Sequence, residues 1–490
     1  MENSKFIRLY RALSAKEQMA FERFVNGMYG GQTLAMDVLK YIHKNFLKTL
    51  FQESDKELII NEILKQKTVS KQQRKNVDNL LGKLYGYLKE FLVWKKLSSQ
   101  KEEIDFLMLD ILQEKKVDKL LFQDMVRLEN KLEKTKVFDV QNALRLFQLY
   151  HQKFYHPKTS KINTKNKDLP KAMENLDHFY VSMKLKLATE LINRGRVLQE
   201  QHSISLLHST IEFANDEMRG YPVIELWLLT IELLEKENED LFRQLKNKVC
   251  HPESTVKPLD KLIFLSYLIN FASSQIKKRN FTYYQAAYDL YVFGIEEKLL
   301  LKNGYFSPTK FNNIVRIACV LKKFTWIEQF ISEWGKFLPS NYQQAVVQIS
   351  NAYILFEQRK FNQTLETIAH LSFDDPYIEL RARTLMLKSY FELYQFSNKH
   401  LILDYCKSFD NFLRRNLVVN QVTVASYRAL IQFIRKMLHK KLNFKAVNNW
   451  YQQVPYIFSK FWIEEKIYKL KMESSSLNSF QPEDSNSIQK

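Results

Sequence analysis

Apolar residues recur at three- and four-residue spacing along most of the chain. Val77, Leu80, Leu81, Leu84, Leu88 and Leu92 form one such series, the period at which side chains share one face of a helix. Helix starts are marked too. Ser14-Ala-Lys-Glu17, Ser54-Asp-Lys-Glu57 and Ser70-Lys-Gln-Gln73 have the spacing of capping boxes. In that motif the hydroxyl accepts an orphan amide N–H and the third side chain reaches back to the cap. Residues 1–97 therefore read as a helical N-terminal module of about four helices, with one turn at Gly30-Gly31. Connecting helices follow over 98–155, carrying Phe106, Leu109 and Leu112, then Leu120, Leu121, Met125 and Leu128.

The pattern breaks at 156–170, a polar stretch bracketed by Pro157 and Pro170 that has too few apolar residues to pack a core. We read it as a basic linker. A second helical region runs over 171–472. Its prolines at 222, 258, 308, 339 and 376 fall where helices should begin, because proline suits the first helical turn. Residues 473–490, with Ser474-Ser-Ser and Pro482-Glu-Asp-Ser, read as a disordered polar tail.

One repeat is visible. Phe356-Glu-Gln-Arg-Lys-Phe361 recurs as Phe391-Glu-Leu-Tyr-Gln-Phe396, and Tyr342 and Tyr377 share the same offset of 35. Val320-Leu-Lys-Lys-Phe324 is a looser third copy. A period near 35 with two helices per unit suits a solenoid in which each pair buries its apolar face on its neighbours. Here the chain resembles the tetratricopeptide repeat family. Phe361 and Pro376 match that family's aromatic and the proline fifteen residues later, and Ala352 and Leu355 match its small and large positions. Thr364 replaces the usual alanine, Asn411 stands where proline is expected, and the consensus tryptophan and glycine are absent. The wider pattern, with Asn313-Ile314, Lys323-Phe-Thr-Trp326 and Phe330-Ile331, is similar to an uncharacterised helical-repeat family of Bacteroidota bacteria, a likeness that brings no activity with it. The resemblance implies an all-α helical-hairpin superhelix, a tetratricopeptide-like α-solenoid, following the N-terminal module. It also implies that Phe361 and Phe396 are buried between units. Tyr353, Glu357, Arg381 and Lys388 would then face the groove.

Composition agrees with helices. Glycine and proline number only 10 each in 490 residues, too few for turn-dense β folds or for glycine-rich phosphate turns. The net charge is +20, a sign that favours nucleic acid, anionic surfaces or acidic partners. The excess is +8 over 1–155 (28 basic, 20 acidic), +1 over 156–300 (20 and 19) and +11 over 301–490 (26 and 15). Of the 74 basic residues 55 are lysine, so coding bias is an alternative source of the charge. Cys250, Cys319 and Cys406 are odd in number and far apart, which suits a reducing cytoplasm better than a disulfide framework. The strongest candidate span, Leu262 to Ala272, is too short to cross a bilayer and is interrupted by Ser266 and Asn270, so no membrane insertion is expected.

Catalytic patterns are not found. There is no Gly-x-Gly-x-x-Gly, no Gly-Lys-Ser/Thr and no Cys-x-x-Cys, and the closest histidine pairs, His151/His156 and His202/His208, lack metal-ligand spacing. Adjacent carboxylates such as Glu296-Glu297 diverge on a helix, and Asp374-Asp375-Pro376 reads as a helix start. Neither a cofactor nor catalysis is expected. What remains is surface: Arg414, Arg415, Arg428, Arg435, Lys436, Lys440 and Lys441 form a candidate basic patch, though cations also gather at helix C-termini for electrostatic reasons. The linker lysines Lys158, Lys161, Lys165, Lys167 and Lys171 could add to an anion site. The leading expectation is a non-enzymatic scaffold that binds a protein or peptide on its concave face, with an acidic partner favoured. The alternative is a nucleic-acid-associated regulator that contacts phosphates through the basic C-terminal surface.

Overall fold

The computed structural model describes residues 4–30, 33–45, 54–65, 69–134, 140–158, 166–198, 202–252, 256–278, 280–371, 375–395, 397–415, 421–439, 443–455 and 457–478. The described residues are all-α apart from one short hairpin. The chain divides into two compact units, Met1–Lys136 with Gln141–Leu176, and Asp177–Lys490 with Val137–Val140.

The first unit is built from α1 (Lys5–Arg11), α2 (Ala15–Tyr29), α3 (Leu34–Asn45), α4 (Ser54–Glu62), α5 (Lys71–Ser98), α6 (Lys101–Glu114), α7 (Asp118–Glu133), α8 (Val140–Tyr155) and the first turns of α9 (Asp168–Leu198). Two capping boxes form as their spacing predicts. Glu17 and Gln73 donate backbone N–H groups to the Ser14 and Ser70 hydroxyls, and their side chains accept from the serine amides. The long α5 gathers α1 to α4 around a core of Phe6, Tyr10, Phe21, Val25, Leu39 and Phe91. A separate core joins α6 and α7 to α8 through Leu109, Leu112, Leu121, Met125, Leu128 and Leu149. Two of the linker lysines are tied to acids. Lys158 pairs with Asp118, and Lys171 donates to Glu133 at 2.9 Å and to the Tyr150 hydroxyl at 3.0 Å. Lys161 and Lys165 lie outside the described residues. The division between units falls inside α9, several residues beyond this linker.

The second unit continues α9 into α10 (Leu207–Glu217), α11 (Pro222–Lys236), α12 (Glu239–Cys250), α13 (Pro258–Lys277), α14 (Tyr283–Glu296), α15 (Pro308–Val320), α16 (Phe324–Trp334), α17 (Ser340–Glu357), α18 (Phe361–Ala369), α19 (Pro376–Tyr394), α20 (Lys399–Arg415), α21 (Gln421–Met437), α22 (Phe444–Gln453) and α23 (Lys460–Asn478). Proline opens α11, α13, α15 and α19, and Pro339 is the N-cap of α17. Asp375 caps α19 by accepting from the amides of Tyr377 and Ile378, the helix start that its sequence suggested; Asp374 lies outside the described residues. From α11 onward sequential helices pack on one another, and α17 also packs on both α15 and α19. Gly294 lets α14 lie close on α13: a Cβ there would stand 2.8 Å from a Leu265 methyl.

The hairpin was not foreseen. Strands β1 (Leu301–Lys302) and β2 (Tyr305–Phe306) pair antiparallel around Asn303-Gly304, both at positive φ (52° and 81°), the turn chemistry that Asn-Gly serves. It delivers Phe306 into a cluster with Phe311, Phe330 and Trp334.

The first phenylalanine of each copy lies near a helix end. Phe356 and Phe391 are 5% and 0% exposed near the ends of α17 and α19, while Phe361 opens α18 with its ring 5.3 Å from that of Phe356. Phe361 is only half-buried, short of the full burial expected of it, because the first residue of a helix keeps one edge in solvent. Phe396 lies outside the described residues. Phe391→Ala should therefore cost about 3–5 kcal/mol, the usual figure for a buried phenylalanine, and Phe361→Ala roughly half of that; denaturant midpoints of the two variants test the order.

Candidate binding surface

The last helix carries two kinds of face. Trp462, Ile463, Lys466, Ile467 and Leu470 are buried, and Phe461, Tyr468 and Met472 are exposed, the spacing of an amphipathic helix seated on a surface. The surface it meets is assembled from helices far away in sequence. Trp462 lies edge-on to Phe391 of α19 and to Phe433 of α21, at 5.4 and 6.2 Å between centroids. Glu392, at the end of α19, accepts from Trp462 Nε1 at 2.6 Å and from Lys466 Nζ at 2.5 Å. Lys460 donates to the carbonyl of Lys277 on α13 at 3.3 Å. Just ahead of α23, Phe458 stacks on Tyr427 at 4.3 Å, and its amide donates to the Ser426 carbonyl.

Three of the four groove candidates belong to this surface. Lys388 on α19 is buried with its ammonium 4.1 Å from the centroid of the Phe356 ring and 5.4 Å from that of Trp462. Ring faces attract a cation, yet burial still dominates and holds the ammonium down to about 8, against the pull of Glu357 and Glu392. Tyr353 on α17 is 8% exposed. Arg316 on α15 lies over its ring at 5.9 Å and over Phe458 at 5.3 Å. Arg381 is largely enclosed, with one guanidinium nitrogen 3.5 Å from Asn313 Oδ1. Glu357 is exposed, acting on the buried cations only through space. Arg316, Trp462 and Lys466 had no sequence signal beyond helical periodicity, since what makes them important is contact between helices well separated along the chain.

The basic patch is interleaved with an acid. Asp410 sits among the arginines, accepting from Arg414 at 2.8 Å and from Arg428 at 3.2 Å. Asp410 lies one turn before Arg414 on α20, where opposite charges meet, and α21 brings Arg428 to its other oxygen. Together with Ile431, Gln432 and Arg435 these residues line an open pocket of about 230 Å³. Arg415 is exposed and does not line it. Lys436 lies over the Trp450 ring at 5.5 Å. Lys440 and Lys441 lie outside the described residues.

Burial pushes the thiols of Cys250 and Cys406 up to about 11 and that of Cys319 higher still, so all three stay protonated near neutral pH. Among the described residues no helix is long and apolar enough to cross a membrane, and no group of three or more metal-ligating side chains is gathered. Compared with protein-family models, with curated proteins and with solved structures, the chain matches none.

The depressed Lys388 makes a signed prediction. Between pH 8 and the ordinary 10.5 the unfolded chain holds this proton and the folded chain does not, so stability should rise with pH in that window. Below pH 8 both forms are protonated and this dependence vanishes. Urea unfolding should show wild type gaining about 2 kcal/mol over Lys388→Met between pH 7 and 9.5, a range that stops short of tyrosine ionisation.

Proposed function

We propose that the chain is a non-enzymatic, protein- or peptide-binding scaffold of the cytoplasm. In this reading α11 to α22 form a tetratricopeptide-like superhelix, and its concave face receives an amphipathic helix of a partner. The observation that carries it is the seating of α23: a helix lies on α19 and α21, held by Trp462 between aromatic rings and by Lys466 on Glu392. A buried aromatic anchor beside a desolvated ion pair is how helix-in-groove recognition concentrates its affinity. The repeat supports the architecture, because the 35-residue offset carries α17 and α18 onto α19 and α20. The cations Arg316, Arg381 and Lys388 favour a partner helix that carries acidic side chains. Asp410 between Arg414 and Arg428 counts against a continuous phosphate-binding face, so the nucleic-acid reading is the weaker one.

A labelled synthetic peptide of residues 457–473 tests whether the surface is a helix receptor. It should bind the full-length Trp462→Ala/Lys466→Ala double variant, whose own helix is loosened, at least tenfold more tightly than wild type, read by fluorescence anisotropy. Saturable binding to neither protein would overturn the reading.

A further inference from the structure

We infer that Arg316 and Arg381 form an oxyanion-binding site beneath Phe458, with a carboxylate or phosphate group as its ligand. The two arginines sit on the first helices of two different pairs, α15 and α19, and no described residue gives either of them a carboxylate. Arg381 Nη1 is buried without a hydrogen-bond partner, and its Nη2 reaches only Asn313, at the outer limit of bonding distance, 3.5 Å. Arg316 is half-buried against rings, those of Tyr353 and Phe458, with no carboxylate in ion-pair reach among the described residues. The phenols of Tyr291, Tyr353 and Tyr427 lie within the field of Arg381.

A guanidinium offers five N–H donors in a planar fork and accepts nothing, so enclosing it without acceptors is costly. Two such groups repel one another as well, and the charge of Arg316 bears on Arg381, opposed there by the field of Asp375. One oxyanion removes both costs, because its oxygens accept from both forks at once. Phenol hydroxyls and the Asn313 amide could complete its coordination. By contrast Arg414 and Arg428, the other close arginine pair, already share Asp410.

Access is through Phe458. Arg381 Nη1 is closed to solvent, and the Phe458 ring covers Arg316 while stacked on Tyr427. Phe458 belongs to the short connection between α22 and α23, next to Ser459 at a positive φ of 59°. Rotating this one ring out of the connection uncovers Arg316, and the site beside it, while Trp462 and Lys466 keep their own contacts on α19 and α21.

The site stands apart from the peptide-binding reading, and its test contains no peptide. Thermal unfolding of the full chain is followed in sodium phosphate, sodium acetate and sodium chloride at matched ionic strength, and phosphate binding is measured by titration calorimetry. Phosphate should raise Tm above the chloride value. Phe458→Ala should bind phosphate at least threefold more tightly, and Arg381→Met at least tenfold more weakly while keeping its chloride Tm at or above that of wild type. Arg243→Gln, an exposed change on α12, should behave as wild type and so report general charge screening. Should Arg381→Met fail to fold, Arg316→Met reads the same loss. A response to phosphate alone assigns a phosphate ligand, and a response to acetate as well assigns an acidic side chain or terminus. Equal Tm in all three salts for both wild type and Phe458→Ala, or a phosphate response that survives in Arg381→Met, would overturn the site.

Discussion

Lys388 and Lys466 are cations taken out of water, and the aromatic rings and single carboxylate that receive them fix how the last helix sits. Charged side chains are almost never fully buried unless paired. Lys466 meets that rule through Glu392, which also takes the indole N–H of Trp462. Lys388 has ring faces in place of an acid, Phe356 from one helix pair and Trp462 from the last helix. Trp462 thereby serves twice, as an apolar anchor against Phe391 and Phe433 and as half of the housing for an ammonium group. Moving α23 would strip Lys388 of a ring and Glu392 of both donors in one step. Cooperative loss of this kind is what gives the helix one register on its surface.

How much of this could be read from the chain varies with the range of the interaction. Helix starts depend on residues three or four apart, and Ser14, Ser70, Pro222, Pro258, Pro308, Asp375 and Pro376 all do what their spacing suggests. Asn303-Gly304 carried a short-range signal as well, but its strands are two residues each, too short for any alternation to show. Asp410 among the arginines was half legible: its pairing with Arg414 follows from i,i+4 spacing, whereas Arg428 reaches it only because α21 folds back. The packing of Trp462 on Phe391, Phe433 and Lys388 had no local trace. Periodicity marks position 462 as inward-facing without saying inward to what.

Tyr353, Arg381 and Lys388 came from a family resemblance as groove positions, yet Tyr353 and Lys388 are buried, Lys388 beneath Trp462 of the last helix, and one guanidinium nitrogen of Arg381 is closed to solvent. Their burial changes what the resemblance implies. An open groove would leave these side chains hydrated and cheap to keep charged, and any acidic peptide could compete for them on Coulombic terms that salt weakens. With α23 and Phe458 in place they are desolvated, so an incoming group must match hydrogen-bond geometry as well as charge. Selectivity then falls on the unpartnered donor of Arg381 more than on the number of positive charges nearby.

The same distinction bears on the net charge of +20. Exposed lysines cost little to place, and a lysine-rich composition can scatter them without consequence for partner choice. Many are also locally matched, as Lys171 is by Glu133 and Lys246 by Asp289. Burying a cation is different, because each one opposes folding unless something in the structure or bound to it compensates. Lys388 and Lys466 are buried, and Arg316 and Arg381 partly so; of these four only Lys466 has an acid within ion-pair distance among the described residues. A compositional drift toward lysine explains neither their enclosure nor the choice of arginine at the two positions left without a carboxylate. Those two positions therefore carry the inferred oxyanion site, to which the charge excess spread over the exterior adds little.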